Sequence, residues 1–141
     1  MRQEGFTLAE VLTAMALLVI AALSTAQLFA ATAAAIRVAR MKTSAATLAA
    51  ARLEMLRIDP APVLSPSDSL DRDSAGFAEF LDADGRPAAA GAAFVRRWAV
   101  EPMPGAENVL VVQVLVRPVA DDAAGERASR AQVRLVTIRR R

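Results

Sequence analysis

Few residues of this 141-residue chain could do chemistry, and their types narrow it further. There is no Cys, His or Tyr, which removes thiol nucleophiles, imidazole acid/base catalysis, disulfide frameworks and nearly all zinc, haem and iron–sulfur sites. The Ser, Asp and Glu residues have no His or Cys to activate them, and no Gly-rich phosphate loop occurs, so no catalytic constellation and no cofactor are expected. Three groupings remain. Glu10 stands at the edge of a run from Val11 to Ile36 that contains no charged residue; a carboxylate near a bilayer centre costs about 2.5–3.5 kcal/mol and therefore needs a partner. Asp82-Ala83-Asp84-Gly85 has the opening of a calcium loop, but lacks the later oxygen ligands and the closing Glu, and a hairpin turn is the favoured reading. Arg139, Arg140 and Arg141, with Arg96 and Arg97, could hold an acidic surface or DNA. A solvated tail is the simpler reading of the terminal cluster, and nucleic acid is not an expected partner.

The elements that would position these groups follow from composition. The 26 residues from Val11 to Ile36 would extend about 39 Å as a helix, enough to cross a hydrocarbon core of about 30 Å. Neither Gly nor Pro occurs between Phe6 and Asp59, so one helix of about 80 Å is predicted. Arg37, Arg40 and Lys42 mark where it leaves the bilayer. Beyond them Val38, Met41, Ala45, Leu48, Ala51, Met55 and Ile58 recur at steps of three and four, with Ala49, Leu53 and Leu56 widening the stripe and Arg40, Lys42, Arg52 and Arg57 placed elsewhere on the cylinder. The carboxy-terminal part of the same chain is expected to cover that stripe.

Charge is segregated along the chain. Residues 1–36 carry −1, 37–58 carry +4, 59–91 carry −5 and 92–141 carry +4, which fits parts facing different surroundings. After Ile58 the breakers Pro60, Pro62 and Pro66 end the helix. Phe77, Phe80 and Leu81 are expected to dock on it. Three strands are predicted: Phe94 to Val100, with Phe94, Arg96, Trp98 and Val100 on one face; Val109 to Val116, apolar enough to be covered on most of both sides; and Ala131 to Ile138, with Gln132 and Arg134 exposed. Trp98 reads as core or rim. The fold class is α+β: a long amino-terminal helix packed on a small antiparallel sheet.

The order Gly5-Phe6-Thr7-Leu8-Ala9-Glu10-Val11-Leu12, directly before the long apolar helix, resembles the amino terminus of type IV prepilins and type II secretion pseudopilins. The resemblance implies that residues 1–5 are a leader removed by a membrane prepilin peptidase, with Gly5 and Phe6 flanking the cut and Phe6 becoming the N-methylated first residue. The absent Cβ of Gly5 would let the protease approach the backbone. Glu10 would pair with the amino group of a neighbour's first residue during assembly. Glu4 stands where the family usually has a basic residue.

The implied organisation is a leader (1–5), a membrane-spanning half-helix (6–36), the soluble half of the same helix (37–58) and a periplasmic α+β part (59–141). The amino terminus would be cytoplasmic, although Arg37, Arg40 and Lys42 outnumber Arg2 and a simple charge count favours the reverse. The implied partners are the prepilin peptidase, other pilin or pseudopilin subunits, the inner-membrane assembly platform and, before assembly, lipid. The segment Thr47 to Arg57 and the short single sheet are similar to minor pilins and to the small minor pseudopilin of a type II secretion tip. Small residues such as Ala14 and Ala16 would permit close helix approach in a filament, and a helix without Gly or Pro would suit initiation or a tip. The competing reading is an ordinary secretory signal cut after the small-x-small sequence Ala31-Thr32-Ala33.

Overall fold

The computed structural model describes residues 6–59, 62–88, 90–106, 108–119 and 130–140. One helix, α1, runs unbroken over 51 residues, Leu8–Ile58, as the lack of any breaker requires. Its last bond is the Asp59 amide to the Met55 carbonyl, 3.1 Å, and Pro60 follows. The chain divides into two compact units between Arg37 and Val38.

In the first unit the helix stands bare. Its most apolar 18-residue window has a mean hydropathy of 2.1 and none of it is buried, so this is a transmembrane helix by length and composition. Its hydroxyl side chains from Thr13 to Thr32 are satisfied internally. The hydroxyls of Thr13, Ser24 and Thr32 donate to the carbonyls of Ala9, Ile20 and Leu28, at 2.7, 2.8 and 2.8 Å, and Thr25 donates to Ala22 at 2.8 Å. Such back-bonding leaves methyl and methylene groups to face lipid, where an unmet hydroxyl would be penalised.

In the second unit residues 38–58 of α1 pack on a four-stranded antiparallel sheet. The strands are β1 (Ala78–Leu81), β2 (Phe94–Pro102), β3 (Val109–Pro118) and β4 (Val133–Arg140), in the order β1-β2-β3-β4. The three expected strands are present, with Trp98 paired to Val114 and Gln113 to Val136. A fourth, β1, joins them. Ala-Glu-Phe-Leu is too short and too rich in helix formers to read as a strand; β2 makes it one by supplying its hydrogen-bonding edge, with Phe80 opposite Val95. Of the three residues expected to dock, Leu81 is fully buried, Phe77 packs against Trp98 at 6.2 Å between ring centroids, and Phe80 remains largely exposed.

The covered face of α1 follows one side of the expected stripe. Ala45, Ala49 and Leu56 are buried, with Leu48 and Leu53 packed beside them, whereas Ala51, Met55 and Ile58 are exposed. At 100° per residue the face that starts at Met41 and Ala45 continues through Leu48, Ala49, Arg52 and Leu56, so the step to Ala51 rotates off it. Arg52, expected elsewhere on the cylinder, lies half-buried on this face. Its guanidinium carbon sits 3.9 Å from the centre of the Trp98 ring, where the flat cation stacks on the π face and its stem covers apolar surface. Burial, and after it the neighbouring Arg96 charge, hold the Arg52 group below its usual value, with Glu79 and Asp59 acting in the opposite direction.

Strand β2 is buried on both faces from Phe94 to Val100. Towards the helix, Phe94, Trp98 and Val100 join Ala45, Ala49, Val112, Val114 and Val116 in the core. The other face is covered by the segment before β1. There Ser65 brackets Val100, its amide donating to the Val100 carbonyl and its hydroxyl accepting from the Val100 amide, both at 3.0 Å.

The turn after β1 is fixed by Asp82. Its Oδ1 accepts the amides of Asp84 and Arg86, at 2.9 and 2.8 Å, and the Asp82 amide donates to the Arg86 carbonyl at 2.9 Å. Gly85 has φ +82°, and a Cβ placed there would come within 2.6 Å of Leu48 Cδ2. Gly85→Ala should therefore destabilise the fold by about 1–2 kcal/mol, from the left-handed backbone, while the Leu48 methyl turns aside. Urea unfolding of the solubilised chain measures this as a lower midpoint at unchanged slope.

Candidate functional site

The start of α1 brings together two of the candidate residues and one that the sequence reading passed over. Thr7 is the N-cap. Its amide and its hydroxyl both donate to Glu10 Oε2, at 2.9 and 3.0 Å, and its Oγ1 accepts the Glu10 amide at 3.3 Å. This reciprocal arrangement is a capping box, in which the N-cap residue and the residue three positions on satisfy each other's orphan amides. The carboxylate also lies where the helix dipole favours negative charge. The pattern Thr7-x-x-Glu10 before an apolar run is a legible signature of it.

Phe6 is 88% exposed and borders the same shallow apolar groove as Glu10, with Val11, Ala14 and Leu18 along it. Among the described residues Glu10 is the one ionisable group lining that groove. Its Oε1 takes no hydrogen bond among the described residues, so one carboxylate oxygen is engaged locally and the other is open. Gly5 and the four residues before it lie outside the described residues.

The basic candidates do not converge. Arg96 and Arg97 are 8% and 6% exposed. Arg96 donates to the Leu48 carbonyl at 3.2 Å and to Glu79 at 2.5 Å, tying β2 to the helix and to β1. Arg97 points to the other side, holding Asp73 at 2.8 Å and the carbonyls of Leu70 and Asp71 at 3.1 and 2.8 Å. Arg139 donates to the Leu56 carbonyl at 2.9 Å, meeting an orphan acceptor of the last helical turn. Arg141 lies outside the described residues. Of the arginines grouped in the sequence as an acidic-surface or DNA site, Arg96, Arg97 and Arg139 are thus corrected to separate braces that hold helix and loop carbonyls and nearby carboxylates, while Arg140 is exposed on the outward face of the last strand.

Asp82 is likewise a turn former, and Asp84 faces Arg86 at 3.6 Å. Among the described residues no cluster of three His, Asp or Glu side chains is placed to hold a metal. Trp98, 6% exposed, is core. The helix runs straight through Ala31, Thr32 and Ala33.

Residues 1–26 match the family described as the prokaryotic N-terminal methylation motif. No curated protein and no solved structure matches the chain. The motif, together with the long apolar helix and the small antiparallel sheet, supports the type IV pilin and pseudopilin family, a structural family whose members are processed by a prepilin peptidase and assemble with other pilins. It also fits anchoring in the inner membrane before transfer to a filament.

Proposed function

We propose that this prepilin-type chain is a minor pilin or pseudopilin, cut between Gly5 and Phe6 and then drawn from the bilayer into a type IV pilus or type II secretion pseudopilus at its initiation or tip. Its leader is residues 1–5, its membrane half-helix 6–36, its soluble half-helix 37–58 and its periplasmic part 59–141, with the amino terminus cytoplasmic. Cleavage frees the amine of Phe6, which is then methylated. The chain performs no catalysis; its work is assembly.

The observation that carries this reading is Glu10, held in a capping box at the head of an uninterrupted 51-residue helix with one carboxylate oxygen open. In lipid the box keeps the carboxylate hydrogen-bonded. On docking, the open oxygen meets the positive amine of a neighbour's Phe6, and two opposite charges in a low-dielectric layer fix the axial register, since leaving either unpaired is strongly unfavourable. The lipid-facing residues then exchange tails for neighbouring helices, with Ala14 and Ala16 allowing close approach. The absence of Gly and Pro from α1 keeps it stiff, which supports a place at initiation or tip over a bulk position.

Glu10→Ala separates the two steps. Processing at Gly5–Phe6 should proceed, while incorporation into filaments falls at least about tenfold because the incoming amine is left unpaired. The measurement is the ratio of mature chain in sheared filaments to mature chain in membranes. Incorporation at the wild-type level would remove Glu10 from assembly.

A further inference from the structure

The two edges of the sheet are not equivalent. The outer edge of β1 is closed by the turn that follows it, with the Ala88 amide donating to the Phe80 carbonyl at 2.9 Å and Leu81 bridged to Pro87. Strand β4 is the other edge, and among the described residues nothing pairs with its outer side. An open edge of eight residues is a template for another strand. On its outward face Arg134, Val136, Ile138 and Arg140 follow one another, and Val136 and Ile138 are 56% and 60% exposed. Arg134 is held across the sheet by Gln113, and Arg139, on the inner face, is fixed to the end of α1. The edge is therefore rigid before anything binds it, which lowers the entropic cost of docking.

Charge selects the occupant. β4 contains three arginines and no carboxylate, and β3 beside it contains none either. A second copy pairing two-fold through β4 would set Arg134 opposite Arg140 of the second copy when centred on Thr137, placing like charges across the ladder. Self-pairing is thus disfavoured, and a strand of opposite charge is favoured.

We infer that β4 is the docking edge for an extended strand of a different subunit, whose outward side chains run acidic, apolar, apolar, acidic to match Arg134, Val136, Ile138 and Arg140. The incoming strand becomes the fifth of the sheet, its backbone amides and carbonyls supplying affinity and the alternate side chains supplying choice of partner. This rests on the reading of the chain as a filament subunit, and goes beyond it by naming the surface and the chemistry of the neighbour.

The chain tolerates a clean test. With p-benzoylphenylalanine in place of Val136 in the full-length chain, irradiation of assembling cells should link it to a different subunit, and mass mapping should place the link in an alternating acidic and apolar segment. Arg134→Glu with Arg140→Glu should lower that yield about tenfold through the loss of complementary charge. The same probe in place of Ala16 reports helix contacts in the filament. Linking at Ala16 with none at Val136, or linking of Val136 to a second copy, to lipid or to a segment without carboxylates, overturns the docking edge and leaves the filament reading standing. Silence at both positions overturns both.

Discussion

Gly5→Val should leave the chain as an uncleaved precursor, with processing slowed at least about a hundredfold, ~2.7 kcal/mol in the barrier. The reasoning is steric. A protease must bring its reacting groups against the carbonyl of residue 5, and a residue without Cβ leaves that approach open, whereas a β-branched side chain closes it and restricts the backbone. The effect should be confined to processing, because Gly5 precedes the cap at Thr7 and the helix begins at Leu8. Pulse-labelled membranes would show every variant chain retaining residues 1–5 at times when the wild type is fully matured. Normal maturation of the variant would mean that the cut lies elsewhere.

The largest folding effect is expected at Trp98. Its ring is 6% exposed, faces Arg52 on α1 at 3.9 Å and packs against Phe77 at 6.2 Å. Trp98→Ala should destabilise the carboxy-terminal unit by about 3–5 kcal/mol, as large-to-small changes in aromatic cores do. The loss is compounded at Arg52, whose buried guanidinium would have its stacking partner taken away while its Nε already lacks a hydrogen-bond partner among the described residues. Val136→Ala, on the exposed face of β4, should change stability by less than about 0.5 kcal/mol. Chemical unfolding followed by circular dichroism compares the two, and similar midpoints would contradict the placement of Trp98 at the centre of helix–sheet packing.

What could be read in the sequence, and what could not, follows from the range of the forces involved. The helix was legible because its determinants are local: no Gly or Pro from Thr7 to Asp59, and a long run without charge. The strands β2, β3 and β4 were legible for the same reason, β2 as an alternating segment, β3 as a continuous β-branched run and β4 as a segment with Gln132 and Arg134 outward. β1 was not, because its four residues acquire strand geometry only from the neighbouring β2. On α1 the side of the stripe through Ala45, Ala49, Leu53 and Leu56 was legible, whereas Arg52 was not, since the rule that charged residues lie outside fails when a guanidinium stacks on an indole. Arg96 and Arg97 were read as ligands for an external anion for a related reason. Their partners Glu79, Asp73 and the carbonyls of Leu48 and Leu70 come from distant parts of the chain. At the candidate site, Glu10 stood out as an isolated carboxylate beside a lipid-like run, yet the nearer partner, Thr7, was spelled out three residues before it.

These assignments give the chain two kinds of charged residue. The buried arginines of the sheet are braces that lock helix, strand and loop into one unit. Glu10 is different: its hydrogen bonds to Thr7 are local and exposed, and among the described residues its second oxygen takes none, so on the proposed reading it exchanges partners without unfolding the sheet. A group that is satisfied in the membrane yet able to accept a new cation is what transfer from bilayer to filament demands.

The most direct test of the central claim is the mass and fragment sequence of the amino terminus of the chain purified from membranes of cells that carry a prepilin peptidase. The account predicts a chain that begins at Phe6, one methyl group heavier than the bare residue, and the same chain beginning at Met1 when the peptidase is deleted. A mature chain beginning near Ala34, or one that still begins at Met1 in the presence of the peptidase, would contradict it.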